Sequence, residues 1–103
     1  MRTLVVPPAA QRDGEAVQML SAWIAERGLH CTMNVGMWNA NGTDEAWAWG
    51  TLLADVVRHL GDALQKDQGI SREEAIRRIT EALSAELEEP TSATLGDFHP
   101  GQN

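Results

Sequence analysis

The sequence predicts an α+β domain in the order strand, helix, strand, helix, helix, with a long central helix and a small sheet completed by dimerisation. Three observations carry that expectation. Apolar residues recur at helical spacing in three separate segments, they alternate with a period of two in a fourth, and a short β-branched run precedes a proline pair near the start. Residues 3–6, TLVV, read as an edge strand or extended arm, because Pro7 and Pro8 cannot donate to a ladder. From Asp13, a good N-cap, Ala16, Val17, Leu20, Trp23 and Ile24 keep helical spacing up to Gly28, a residue suited to a left-handed helix end. This is the first predicted helix.

Leu29, Cys31, Met33, Val35 and Met37 then alternate with His30, Thr32, Asn34, Gly36 and Trp38, as in a strand with one buried face. Residues 39–42, NANG, are turn chemistry, and Asn41 or Thr43 can cap a helix whose first turn carries Asp44 and Glu45. That second predicted helix runs to about Lys66, roughly 34 Å at 1.5 Å per residue. On a helical wheel Ala46, Trp49, Leu53, Val56, Val57, Leu60 and Leu64 share one face, opposite Thr51, Asp55, Arg58 and Asp62. Ala46, Gly50, Ala54 and Gly61 follow one edge of that face, and such small residues permit a close helix crossing or leave room for a ligand. Asp67, Gln68 and Gly69 break the pattern, and Ser71 with Glu74 forms a capping box for the third predicted helix. Ala75, Ile76, Ile79, Ala82, Leu83 and Leu87 make its apolar stripe, with Glu73–Arg77 and Glu74–Arg78 as i, i+4 pairs. Pro90 ends it. Residues 1–90 therefore read as a single domain and 91–103 as a flexible tail. Two strands do not make an independently stable sheet. Pairing them through the first helix as a right-handed βαβ unit, across a two-fold axis, would complete it and predicts a homodimer.

Composition narrows the function. A net charge of -7 repels phosphate backbones and anionic lipid, so neither nucleic acid nor membrane is an expected partner. The single cysteine, Cys31, cannot form an intrachain disulfide, and the apolar start is broken by prolines before it could serve as a signal-peptide core, so a cytoplasmic location is expected. No phosphate-binding glycine loop, Cys-x-x-Cys, His-Glu-x-x-His or Gly-x-Ser-x-Gly motif occurs. Asp55 and His59 stand at i, i+4 but fall short of the three or four ligands a zinc site takes. Asn39, Asn41 and Thr43 imitate alternate calcium ligands, yet Gly50 stands where a bidentate Glu belongs. No catalytic residue, metal site or cofactor is assigned.

The four tryptophans divide. Trp23 and Trp49 fall within apolar stripes and read as core. Trp38 and Trp47 flank the turn and point away from the stripe, either as a satellite cluster closing that turn or as a contact surface, since tryptophan is enriched at binding hot spots. Trp38, Trp47, Arg58 and His59 are the candidate interaction surface of a non-enzymatic protein-interaction module. A small-molecule pocket or minor enzyme site beside the long helix, using Trp49, Gly50 and His59, is the alternative. A ribbon-helix-helix DNA-binding regulator is weaker still, because the predicted strand carries no Lys or Arg to read bases.

Val6-Pro7-Pro8, Ala22-Trp23 followed by Gly28-Leu29, Gly36 with Trp38, and above all EAWAWGTLLADVVRH over residues 45–59 give the chain a resemblance to a small bacterial family of domains of unknown function. The resemblance spans about residues 4–90 and implies that the whole unit travels as one domain. It brings no established activity and assigns no functional residue.

Overall fold

The computed structural model describes residues 1–91 and 94–100. The chain is α+β, in the order α1 (Pro8–Arg12), β1 (Leu20–Ala25), β2 (Gly28–Val35), α2 (Met37–Ala40), α3 (Glu45–Gln68), α4 (Arg72–Glu88) and β3 (Thr94–Pro100). The long central helix is α3, of 24 residues. The expected tail over residues 91–103 contributes β3, while residues 92, 93 and 101–103 of it lie outside the described residues.

The N-terminal third differs from the sequence expectation in two places. Residues 3–6 form no strand; Leu4 and Val5 are 97% and 87% exposed, and the proline pair starts α1 instead, with Pro8 at a position where a missing N–H costs nothing. The segment expected as the first helix is half of a β-hairpin. Leu20, Ala22 and Ile24 also fit a period of two, and β1 pairs antiparallel with β2, Leu20 opposite Met33 and Ala25 opposite Gly28. The βαβ pairing is thereby replaced by a two-residue turn at Glu26 and Arg27, whose φ values of 49° and 65° are left-handed. Neither residue is one that such turns favour, so local sequence did not announce the hairpin. β3 then pairs parallel to β2, giving a three-stranded sheet in the order β1-β2-β3.

The long helices follow the sequence closely. Asp44, one residue past the expected caps, is the N-cap of α3, and its Oδ1 accepts from the Trp47 N–H at 3.2 Å. Gly69, at φ 73°, closes its far end. Ser71 Oγ accepts from the Glu74 N–H at 3.1 Å to start α4. Gly61 marks the crossing of the two helices: a Cβ there would lie 2.9 Å from Ile76 Cγ1. Arg78 pairs with Glu74 as expected, whereas Arg77 bonds Glu74 and Glu81 instead of Glu73. Both arginines hold the Glu74 carboxyl down to about 2, first through their hydrogen bonds and then through charge, against some desolvation.

The halves remain open to one another. The packed element pairs are β1 with β2, β2 with β3, α3 with α4 and, more lightly, α2 with α3. Cross-strand register puts Leu20, Ala22, Ile24, Leu29, Cys31, Met33 and Val35 on one face of the sheet, yet Ile24 is 88% exposed and Leu29 is exposed as well. On the helical hairpin of α3 and α4, Leu53, Val56, Leu60, Leu83 and Leu87 are exposed too. Ala75, at the helix crossing, is the single buried apolar side chain among the described residues. Total accessible surface is 8547 Å², against about 5,700 Å² for a compact chain of this mass. The radius of gyration is 15.5 Å, where about 13 Å is usual.

Candidate functional site

The connection between sheet and hairpin is a knot tied by one carboxylate. Gly36 leaves β2 at φ 109° and ψ -15°, a conformation that strains any side-chain-bearing residue, and turns the chain into α2. Glu45, in the first turn of α3, reaches back to it. Its Oε2 accepts from the Gly36 N–H at 3.2 Å and from the Trp49 indole at 3.0 Å, and its Oε1 accepts from the Asn39 N–H at 2.9 Å. Partial desolvation raises this carboxyl, but donation from Asn39, Gly36 and Trp49, with Trp38 adding to it, outweighs that and holds it below its ordinary value. The Thr43 N–H closes the turn by donating to the Trp38 carbonyl at 3.0 Å.

This knot positions the tryptophans. Trp38, on α2, meets Trp49 edge to face, with ring centroids 5.6 Å apart and planes at 85°. The satellite cluster exists, therefore, but it joins Trp38 to Trp49 instead of to Trp47. Trp49 is half-buried there, polar tip satisfied by Glu45, so it belongs to the joint as much as to the helix stripe. Trp47 stands outside the cluster at 77% exposure. Trp23, expected in a helix core, lies on β1 at 38% exposure and donates its indole N–H to Ser21 Oγ at 2.9 Å.

Between Trp38 and α3 runs a groove of about 590 Å³. Trp38, Trp47, Leu52, Val56, Asp55 and His59 are among the residues that line it. Three of the four expected surface residues, Trp38, Trp47 and His59, thus meet in one concavity. Arg58 does not line it, but its guanidinium donates to Asp55, which does. A concavity lined by indoles, aliphatic side chains and one acid can bind an apolar side chain and one polar tip. Gly50, offered with Trp49 as a ligand pocket, is not in the groove; nothing lies within 4 Å of the Cβ it lacks. Among the described residues, no three of His, Cys, Asp and Glu cluster as metal ligands, and no helix is long and apolar enough to cross a membrane.

Glu45 was the residue the sequence concealed. An acid in a helix's first turn is ordinary; only the reversal of the chain at Gly36 lets it bond backwards over nine residues.

Fold and groove together define a small α+β domain in which a β-sheet and a helical hairpin meet at a tryptophan-lined joint. The chain belongs to the family described as a domain of unknown function, DUF5076, which matches residues 3–91. It is similar to a solved structure described as a putative pyruvate dehydrogenase from the photosynthetic bacterium Rhodopseudomonas palustrus CGA009, with 26% identity, a TM-score of 0.66 and 90% of each chain covered. No curated protein matches the chain.

Proposed function

We propose that the protein is a non-enzymatic, homodimeric interaction module of the cytoplasm, and that the groove between Trp38 and α3 receives a side chain of a partner protein. The observation that carries the dimer is the uncovered apolar surface. The chain exposes about 2,800 Å² more than a compact fold of its mass, an excess of the size that obligate dimers bury. Both the sheet face and the hairpin face are apolar, and water beside them is costly at about 25 cal/mol per Å². A second copy is a partner always present at equal concentration, and a two-fold arrangement laying each hairpin on the other's sheet covers both faces at once.

The groove is a separate surface of the same module. Trp47 contributes an exposed indole at its mouth, the residue type most often found at binding hot spots. The groove's own side chains support this function, and the description of the similar structure stays with that protein.

Light scattering tests the dimer: the expected mass is twice 11.3 kDa, and Leu60→Glu should return it to that of one chain. A stable wild-type monomer across the micromolar range would overturn it. For the groove, Trp47→Ala should leave far-UV circular dichroism unchanged while weakening association. A well-folded Trp47→Ala protein with unchanged oligomeric state and unchanged partner capture would count against it.

A further inference from the structure

We propose that residues 3–6 form an exchanged strand, pairing with the free edge of β1 in a second copy of this chain. The inference rests on the dimer reading above and names the segments that join the copies. Among the described residues β1 is the outer strand of the sheet, with β2 on one side and no strand on the other. Its unpaired edge of backbone N–H and C=O groups is a template for another strand. Thr3, Leu4, Val5 and Val6 have strand chemistry, and both Leu4 and Val5 are almost fully exposed. Thr3, Leu4 and Val5 make no hydrogen bond in the chain that carries them. A lone arm of this kind should be solvated and polar; three consecutive large aliphatics have a reason to be elsewhere.

The arm lies near its own β1 without joining it. A gap of about 370 Å³ separates residues 2–6 from Gln18 and residues 20–23. The root of the arm is held in that stand-off by α1: Gln11 Nε2 donates to the Val6 carbonyl at 2.7 Å, and the Gln11 N–H donates to the Pro7 carbonyl at 3.1 Å. Pro7 and Pro8 keep the root stiff, and neither has an N–H to extend a ladder past Val6. Each copy thus presents one unpaired strand and one unpaired edge, which is the self-complementary condition for a closed two-fold exchange. Residues 3–6 would pair along part of the six-residue β1. Strand addition of this sort takes its affinity from main-chain hydrogen bonds and its register from alternate side chains.

Cysteine trapping in the full chain, with Cys31 replaced by Ser, tests the exchange. One preparation carries Val5→Cys alone and another Ala22→Cys alone; they are mixed, equilibrated and mildly oxidised. The expected result is a disulfide-linked heterodimer on a non-reducing gel, formed in preference to either homodimer. In a companion variant, Val5→Pro should weaken dimerisation about tenfold or more while helix content stays that of the wild type. A double Val5→Cys, Ala22→Cys chain that closes only within itself would overturn the exchange and place the arm on its own sheet. A dimer that persists by light scattering with no cross-link and no effect of Val5→Pro would overturn the exchange while leaving the dimer reading standing. A monomeric wild type would remove both.

Discussion

The helical hairpin and the sheet are both apolar on one side, but only the hairpin has begun to use its own. α3 and α4 meet at a contact so close that Gly61 has no room for a Cβ against Ile76, and Ala75 is buried beside it. The sheet is hydrogen-bonded along its strands, yet among the described residues its apolar face leaves Ile24 nearly bare and packs closely against no helix. Hydrogen bonding between strands fixes local geometry; it does not take side chains out of water. Helix crossing takes a side chain out of water at Ala75, whereas strand pairing leaves Ile24 in it.

That contrast can be broken most forcefully at the helix crossing. Gly61→Leu drives a side chain into Ile76 and Arg72, whose nearest atoms stand 2.9 to 3.3 Å from the new Cβ, and should destabilise by about 3 kcal/mol in urea unfolding. Next in size is the joint between the halves. Glu45→Ala removes the acceptor of three donors and should lower the denaturant midpoint, by less than Gly61→Leu does, with a loss of tryptophan fluorescence signal as Trp49 loosens.

The same joint and Glu74 predict a pH dependence. Both carboxyls sit below the ordinary 4.5 in the folded chain, so their contribution is complete above 4.5 and is lost as pH falls below it, for Glu74 on the way down to about 2. Urea midpoints at pH 7, 4 and 2.5 should fall in that order. Because Glu74 and its arginines are solvated, added salt should shrink its share of the effect.

The two glycines of α3 sharpen the comparison. Gly50 meets nothing within 4 Å, so Gly50→Ala should stabilise by about 1 kcal/mol through helix propensity alone. A destabilising Gly50→Ala would show a close approach at this position in the assembled protein. The smallest effect is at the hairpin turn. Arg27 holds φ 65° without being glycine, and Arg27→Gly should stabilise by about 0.5 kcal/mol in thermal unfolding.

Spacing and capping within a few residues were enough to place the two long helices, the cap at Ser71, the break at Gly69 and the alternation of β2; that Gly69 caps α3 came from the structure. The sequence also marked Trp38, Trp47 and His59, which the structure brings to one groove. Leu20 and Ile24 fit a helix and a strand equally well on paper. Their choice was made by the ladder to β2, closed through a turn at Glu26 and Arg27 that carries no glycine to announce it. Only the folded chain could set Glu45 to hold Gly36, Asn39 and Trp49 together, and Trp38 to meet Trp49 edge to face and leave Trp47 in water. Those contacts depend on where the chain reverses, and a reversal is set by the balance of all the surfaces it brings together, which no short stretch of sequence encodes.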